Sequence, residues 1–176
     1  MSNGQRDEAR EPGSVSVTQN SKLKAQNWAA TAVALSPAQP TDLSAVLALL
    51  RAADLPATGV AHSFGDFVVA RCDGELVGSC GLEVHGEHGL LRSAVVAPGL
   101  RGSGLGTRLV AATVEAARSR GLRTLYLLTT TARPFFLSRG FRDADRDSAP
   151  AGIRDSWEFK AGCPASSALM RCALSF

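Results

Sequence analysis

The clearest chemistry in the sequence lies in a glycine-rich segment. The strand-like residues Val95 and Val96 end at Pro98, and Arg101-Gly102-Ser103-Gly104-Leu105-Gly106-Thr107 then leads into a helical pattern. Glycine allows a positive φ and a close approach of an anion to the backbone. N–H groups at a helix start lack partners inside the helix, and the helix dipole attracts negative charge there. With Arg101 as a charged donor, we predict that this segment binds a diphosphate.

Two common nucleotide-binding motifs do not account for this segment. A P-loop requires a Gly-Lys-Ser/Thr run, and the sequence has none. A dinucleotide fingerprint requires a parallel βαβ unit and an acid about 20 residues further on. Residues 122–132 contain no acid, and the strands before the segment are predicted to be antiparallel. A tight turn before a helix, without any ligand, remains the alternative interpretation.

The apolar pattern predicts the elements that present the segment. Asp73-Gly74 is a strong two-residue hairpin turn, and Gly78 and Gly81 indicate a bulge or a close backbone approach in the strand after it. Residues 54–65 and 143–162 are predicted to be loops. The predicted helices run from Pro40 to about Ala53, over residues 104–120 and over Ala132–Arg139. The predicted strands are residues 31–35, 67–70, 75–84, Leu90–Ala97, Leu122–Thr129, a short strand from Phe141, and Ser167–Cys172. This order of elements predicts a mixed α/β sheet.

Composition bounds the class of protein. The chain has 176 residues, of which 45% are apolar, which suits one folded domain over residues 28–176 behind a flexible tail over residues 1–27. The net charge of +3 is scattered, so it does not indicate nucleic acid, but it tolerates an anionic small molecule. The four cysteines form no CxxC pair, so we expect reduced thiols and no metal site. No signal or membrane-spanning pattern is present, and we expect a cytoplasmic protein without a membrane partner.

Two motifs together resemble the GNAT superfamily of N-acetyltransferases. Val96-x-Pro98-x-x-Arg101-Gly102-x-Gly104-x-Gly106 resembles its acetyl-CoA motif, and Ala132-x-x-Phe135-Phe136-x-x-x-Gly140-Phe141 resembles its next motif. The resemblance covers roughly residues 30–174. It implies the GNAT (acyl-CoA N-acyltransferase) fold, which is a mixed, mostly antiparallel sheet with flanking helices, and it implies acetyl-CoA as co-substrate.

Further segments resemble a narrower group, the arsinothricin N-acetyltransferases of arsenic resistance, which are related to phosphinothricin acetyltransferases. The segments are Leu82-Glu83-Val84-His85-Gly86, Leu90-Leu91-Arg92-Ser93, Tyr126-Leu127-Leu128-Thr129-Thr130-Thr131 and Cys163-Pro164-Ala165-Ser166. This resemblance implies transfer of an acetyl group to the α-amino group of a toxic glutamate mimic such as arsinothricin or phosphinothricin.

The GNAT resemblance also implies where the cofactor lies. The pantetheine arm is expected between the strand that ends at Val96 and the strand that starts at Leu122. The Val96 N–H is expected to donate to the thioester oxygen and to stabilise the charge that develops there. The expected cofactor-binding residues are Ala94, Val95, Val96, Arg101, Gly102, Ser103, Gly104, Leu105, Gly106, Thr107, Phe135 and Phe136. Many family members have at the position of Phe136 a tyrosine that protonates the leaving thiolate, and phenylalanine has no proton to give.

The acceptor amine must lose a proton before it attacks. We predict Glu83 as the catalytic base, with His85 and Glu87 as alternatives and a solvent-facing strand residue as the structural interpretation. Arg92 is predicted to bind a substrate carboxylate, and Arg133 is a weaker candidate for the same role. Hydroxyl donors to a second anionic group are predicted at Ser93, Thr129, Thr130 and Thr131, although the threonines equally suit capping of a strand end.

Two other functions remain open on the sequence. The chain is either an acetyltransferase for a small amine, an acetyltransferase for protein or peptide amines, or a non-catalytic acyl-CoA-binding module. Residues 54–65 contain a single acid, Asp54, which disfavours an acidic peptide groove. Apolar residues near the C-terminus (Leu169, Met170, Leu174 and Phe176) suit either a homodimer contact or the completion of the sheet.

Overall fold

The computed structural model describes residues 32–175, so the predicted tail over residues 1–27, Trp28 and Phe176 lie outside the described residues. A single seven-stranded sheet organises the described part. Its strands are β1 (Ala34–Pro37), β2 (Phe67–Cys72), β3 (Glu75–His85), β4 (His88–Val96), β5 (Thr124–Thr129), β6 (Arg142–Ala144) and β7 (Ala168–Ala173). They lie in the order β1-β2-β3-β4-β5-β7-β6. All neighbours are antiparallel except β4 and β5, which are parallel. The predicted mixed, mostly antiparallel sheet is confirmed.

Two helices pack on opposite faces of this sheet. Helix α1 (Leu43–Ala52) buries Val46 and Leu50 in a cluster that contains Val69. Helix α2 (Leu105–Ser119) packs in a separate cluster that contains Ala70. Because successive strand residues point to opposite faces, the neighbours Val69 and Ala70 place the two helices on either side. The predicted amphipathic stripes therefore supply the two halves of the core.

Short helical segments replace parts of the two predicted loops. A 3-10 turn, Val60–Asp66, covers the second half of residues 54–65. The burial of its side chains Val60 and Phe64 attaches this turn to the core. Residues 143–162 contain the 3-10 turn Arg146–Ser148, helix α4 (Ala151–Asp155) and the π turn Glu158–Gly162. Ile153 is fully buried, so this region is anchored to the core. The prediction of loops was therefore wrong for these helical parts of the two regions.

Other boundaries differ by a few residues. The first strand begins at Ala34 rather than at residue 31, the strand after α2 begins at Thr124 rather than Leu122, and helix α3 is shorter than predicted (Arg133–Leu137). The Asp73-Gly74 turn is confirmed, and both residues have positive φ. Among residues 32–175, none of the helices combines the length and the apolar character required to cross a bilayer.

The predicted bulge in β3 is confirmed, because Ala70 pairs with Gly78 and Arg71 pairs with Leu76, which leaves Val77 as an extra residue opposite β2. A second bulge interrupts the β3–β4 register, where Ser79 pairs with Val95 and Gly81 pairs with Arg92. Gly81 also lies under the Phe67 ring, since a Cβ at Gly81 would stand 2.3 Å from a ring carbon. The extra residue in β4 shapes the site described next.

Candidate functional site

The parallel strands β4 and β5 pair over a short length and then separate. His88, Gly89 and Leu90 pair with Thr124, Leu125 and Tyr126, and no further pairing between the two strands is found in the described residues. A cleft of about 870 Å³ opens where they part. This gap leaves strand-edge groups of β4 without a β5 partner, so it can accept an extended ligand in place of a strand.

Backbone geometry turns Val96 toward this gap. The Ala97 N–H donates to the Val77 carbonyl on the β3 side. Residues of an antiparallel strand direct their N–H and C=O groups alternately toward and away from the partner, so both groups of Val96 face away from β3. Consistently, the Val96 carbonyl accepts a 3.3 Å hydrogen bond from Arg101 Nε. The predicted role of the Val96 N–H stays a prediction, and the direction that it requires is present.

The bulge in β4 centres on Ser93. Ser93 has a φ of 54°, in the left-handed region that non-glycine residues seldom occupy. Its carbonyl accepts a hydrogen bond from the buried Ser79 hydroxyl, and its own Oγ is buried without a hydrogen-bond partner among the described residues. Strained backbone of this kind persists where the surroundings hold it, which is common at binding sites.

The glycine-rich segment forms a tight turn at the start of α2. Gly102 and Gly104 have φ values of 82° and 84°, and Gly104 is the residue that precedes the helix. Ser103 Oγ donates to the Leu100 carbonyl over 2.7 Å and so stabilises the turn. Leu105 is buried in the core and anchors the first helical turn. The Leu105 N–H donates to Ser103 Oγ over 3.4 Å, and the next amides at this helix start, together with the helix dipole, form a site suited to an anion.

Two arginines add positive charge at this end of the cleft. Arg101 lies in the exposed turn, and Arg139 lies with its guanidinium 3.4 Å from the centre of the Phe135 ring. Arg139 also donates to the Thr107 hydroxyl and to the Phe135 carbonyl. The sequence prediction did not include Arg139, although it stands inside the second quoted motif, directly before Gly140. Its contact with Thr107 places a second guanidinium beside the start of α2.

Most of the predicted site residues meet on the wall of this one cleft. They are Arg92, Ser93, Ala94, Val95, Val96, Arg101, Gly102, Gly104, Gly106, Thr107, Thr129, Thr130, Thr131, Phe135 and Phe136. Ser103 and Leu105 do not line the cleft; the Ser103 hydroxyl donates to the Leu100 carbonyl, and Leu105 is buried in the core. Thr129 Oγ1 accepts the Ala132 N–H over 3.0 Å, which is the capping role that the sequence left open. Phe136 is buried against Phe141 and Phe135.

Arg92 is held by two carboxylates and one carbonyl. Its Nη1 donates to Glu83 Oε2 over 3.0 Å, and its Nη2 donates to the Thr58 carbonyl over 2.8 Å. Its Nε lies 2.9 Å from Glu158 Oε2, but the N–H does not point at that oxygen, so this contact is an ion pair without a hydrogen bond. The Arg92 side chain is 1% exposed. The contact of Arg92 with a substrate carboxylate stays a prediction. A substrate carboxylate would have to compete with Glu83 and Glu158 for the guanidinium of Arg92.

The two carboxylates that hold Arg92 differ in environment. His85 Nε2 lies 3.1 Å from Glu83 Oε1, and this contact and Arg92 keep the pKa of Glu83 below its ordinary value despite partial burial. Burial raises the pKa of Glu158, and Glu83 adds to that effect while Arg92 opposes it. Glu158 lines the cleft, whereas Glu83 lies behind Arg92. The prediction of Glu83 as base stays a prediction, but its position and lowered pKa make it the weaker base of the two.

A half-buried thiol borders Glu158. Cys163 Sγ lies 3.7 Å from Glu158 Oε1, and both residues line the cleft. Burial, with the neighbouring Glu158 charge, raises the pKa of Cys163 to about 11. The thiol therefore stays protonated at neutral pH, and since the thiolate is the nucleophile, an acetylated cysteine intermediate is disfavoured.

Three of the predicted alternatives lie away from the cleft wall. His85 contacts Glu83, and Glu87 pairs with Arg123 over 3.3 Å at the β3–β4 turn. Arg133 is bound through two nitrogens to Asp143 on the exposed surface. Glu158, a carboxylate on the cleft wall, was missed because it stands in a charged segment without apolar periodicity. Cys163 was part of a quoted motif but carried no predicted role.

Comparison with known proteins agrees with this geometry. The model of the Acetyltransferase (GNAT) family matches residues 32–141. An amino-acid acetyltransferase of Ralstonia nicotianae is 33% identical over 101 residues, which are 56% of this chain and 22% of that protein. The chain thus spans about a fifth of the length of the curated relatives it matches. Among solved structures, N-acetylglutamate synthase from Neisseria gonorrhoeae, in complex with coenzyme A and N-acetyl-glutamate, has a TM-score of 0.73 at 24% identity over 82% of this chain and 36% of that one. Rv2747 from Mycobacterium tuberculosis, in complex with CoA, has a TM-score of 0.69 at 22% identity over 81% of this chain and 99% of that one. At these identities the two structures show the fold.

Proposed function

We propose, since the chain belongs to the acetyltransferase (GNAT) family, that it transfers the acetyl group of acetyl-CoA to the α-amino group of a small amino-acid acceptor. The observation that carries this proposal is the gap between β4 and β5, which ends at an anion-binding helix start. One cleft joins the two features. A thioester on a long arm that ends in a diphosphate fits such a cleft from end to end.

The cofactor end supplies binding and charge stabilisation. The amides of the Gly102–Thr107 turn, with Arg101 and Arg139, would bind the diphosphate. The pantetheine arm would pair with the free edge of β4, and the Arg101 side chain would release the Val96 carbonyl to it. The Val96 N–H would then stabilise the oxyanion of the tetrahedral intermediate, a role commonly worth about 3 kcal/mol.

The acceptor end supports a small, charged substrate. Arg92 and Glu158 contact each other on the wall of the cleft, and Asp54, Thr130 and Thr131 line the same cleft. Relatives named amino-acid acetyltransferases agree with such an acceptor. We further propose a glutamate mimic of the arsinothricin or phosphinothricin kind, because the sequence resembles that group in four separate segments. The exposed threonine hydroxyls would bind its second anionic group.

The test is thiol release from acetyl-CoA with a panel of amines, with the product identified by mass. The panel contains glutamate, phosphinothricin, arsinothricin, alanine and a short peptide with a free N-terminus. We expect acetylation of the free amino acids with an acidic side chain, and fastest turnover of the two mimics. Coenzyme A binding without thiol release from any amine would support the non-catalytic module instead, and preference for the peptide would support the peptide acetyltransferase.

A paired substitution tests the acceptor end. Thr130→Val and Thr131→Val each remove an exposed hydroxyl from the cleft while they keep the shape of the side chain. One hydrogen bond is worth about 0.5–1.5 kcal/mol, so each variant should raise KM for an acidic acceptor by about 2–10-fold. Thr124→Val, on the same loop-strand unit but outside the cleft, is the control. Unchanged KM in both cleft variants would remove the threonines from the substrate site.

A further inference from the structure

Two carboxylates share one guanidinium at the acceptor end of the cleft. Glu83 on β3 and Glu158 in the π turn both contact Arg92 on β4, at 3.0 Å and 2.9 Å. His85 contacts Oε1 of Glu83, and Arg92 Nη2 donates a hydrogen bond to the Thr58 carbonyl. Among Glu83, Arg92 and Glu158, two carboxylates share one guanidinium, so the ionised trio has one carboxylate in excess. A buried excess of charge is costly unless a partner of opposite sign arrives.

Glu158 is the carboxylate of the cluster that lines the cleft, and it accepts few hydrogen bonds. Its side chain is 8% exposed. Oε2 has no hydrogen bond among the described residues, and Oε1 has only a weak thiol contact from Cys163 at 3.7 Å. A buried carboxylate ordinarily accepts several hydrogen bonds, so these oxygens have capacity for a further donor. The π turn that carries Glu158 is a geometry that often occurs at functional sites.

We propose that Glu158 binds the ammonium group of the acceptor and accepts its proton, while Arg92 and Glu83 position the Glu158 carboxylate. This inference rests on the proposed acetyl transfer and names the base for it. An ammonium group supplies three N–H donors and the positive charge that the cluster lacks. The acceptor nitrogen would thereby lie at the end of the cleft opposite the diphosphate site, where the thioester of the extended arm arrives.

The proton and electron balance closes without another reactant. The ammonium gives one proton to Glu158, and the nitrogen lone pair then forms a C–N bond to the thioester carbon. Collapse of the tetrahedral intermediate breaks the C–S bond, and its electron pair leaves on sulfur. The nitrogen loses its second proton to water as the amide forms. Of the two protons released, one reaches the thiolate, either from protonated Glu158 or through water, and the other goes to solvent. Phe136 takes no part, which agrees with its apolar side chain.

The environment of Glu158 suits this role better than that of Glu83. Burial raises the pKa of Glu158, with Glu83 adding to the rise and Arg92 opposing it. A base whose pKa approaches the working pH holds a proton more readily than one whose pKa is lowered. The pKa of Glu83 is lowered by His85 and Arg92. The Cys163 thiol, also against Glu158, stays protonated because its pKa is raised to about 11.

The experiment is a pH profile of Glu158→Gln, which removes the base and keeps the shape. General-base catalysis contributes about 10²–10⁴-fold, so we expect kcat at neutral pH to fall by at least about 100-fold. The deficit should shrink as the pH rises through the pKa of the acceptor amine, because the amine then arrives without its extra proton. The affinity for coenzyme A, measured by calorimetry, should stay within about twofold of wild type.

Three further variants make the result specific. In the wild type, kcat should fall in acid as Glu158 becomes protonated, and this fall is the acidic limb of the profile. Glu158→Asp keeps a carboxylate, so it should restore part of kcat together with the acidic limb. This variant keeps the test available even if Glu158→Gln folds poorly. Glu83→Gln should lower kcat less than Glu158→Gln and should keep that limb. Glu115→Gln removes an exposed carboxylate on α2 and should leave the kinetics unchanged.

The outcomes separate this inference from the proposed function. Amine acetylation by wild type with an unaltered pH profile in Glu158→Gln would overturn the role of Glu158 and leave acetyl transfer standing. Loss of the acidic limb in Glu83→Gln alone would return the base to Glu83. Absence of acetylation of every amine by wild type would refute the proposed function, and this inference with it.

Discussion

Replacement of Gly104 by alanine isolates the contribution of one backbone angle to cofactor binding. Gly104 has a φ of 84° and directly precedes α2. A Cβ built at this position meets no heavy atom within 4 Å, so Gly104→Ala introduces no clash. The whole effect then comes from the left-handed conformation, which costs a non-glycine residue about 1–2 kcal/mol.

The loss of coenzyme A affinity depends on whether the free variant relaxes the strained conformation at residue 104. If the free protein relaxes the turn to a negative φ, the amides at the start of α2 turn away from the anion site. Coenzyme A must then restore the strained turn, and about 1–2 kcal/mol is lost from its binding free energy. Since 1.4 kcal/mol corresponds to a factor of ten, we predict a Kd about 5–30-fold weaker than that of wild type.

The opposite end of the same helix provides the control. Gly121 has a φ of 73°, and a Cβ there also meets no atom within 4 Å. Gly121→Ala therefore carries a similar conformational cost at roughly 25 Å along the helix from Gly104. Calorimetric titration with coenzyme A should show weakened binding in Gly104→Ala and unchanged binding in Gly121→Ala. Equal affinities in all three proteins, or equal losses in both variants, would refute the assignment of the diphosphate to the α2 start.

Three other predictions concern stability and chemistry. Gly81→Ala places a Cβ 2.3 Å from the buried Phe67 ring and should lower the free energy of unfolding by about 1–3 kcal/mol or more in denaturant titration. Asp42, whose pKa is lowered by a backbone hydrogen bond and by Arg71, stabilises the fold when ionised. This contribution to the free energy of unfolding is present above the unfolded-state pKa of Asp42 and is lost as the pH falls through the folded-state pKa. Tm should therefore fall in acid below about pH 4. The fall should be smaller in Asp42→Asn, which has no carboxylate at this position. Cys163→Ser should keep kcat within about threefold, and mass spectrometry should detect no acetyl group on the protein; an acetylated wild-type Cys163 would contradict the direct route.

Local signals in the sequence were sufficient for the cofactor end of the cleft. The positive φ values at Gly102 and Gly104, the helix after them and the turn at Asp73-Gly74 each follow from residues that are adjacent in the chain. Such features depend on backbone freedom and on short-range periodicity, which a single sequence displays. The same holds for the gap between β4 and β5, once the family resemblance supplies the order of the strands.

The acceptor end depends on contacts that no local pattern encodes. Arg92 was predicted to bind substrate because an isolated arginine on a strand beside a predicted site is a natural anion partner. In the folded chain its partners come from Glu83, Thr58 and Glu158, which lie on three other segments. Glu158 entered the site through the anchoring of residues 143–162 by the buried Ile153. The bulge at Ser93 likewise arises from strand register, which a run of residues does not reveal.

The two ends of the cleft carry opposite charge, and this asymmetry constrains how the reactants arrive. The diphosphate meets Arg101, Arg139 and the positive end of α2, whereas the acceptor end holds a cluster with one carboxylate in excess. An acceptor without an ammonium group would leave that excess unbalanced, and an acceptor with only negative groups would be repelled by it. An amino acid satisfies both demands, because its ammonium can meet Glu158 while its anionic groups lie toward the threonine hydroxyls. If the cluster selects in this way, simple primary amines should bind through the ammonium alone and be acetylated slowly, whereas N-acetylated amino acids, which carry no charge on nitrogen, should not compete for the site. Competition by an N-acetylated amino acid as strong as that by the free amino acid would show that the anionic groups, and not the ammonium, determine recognition.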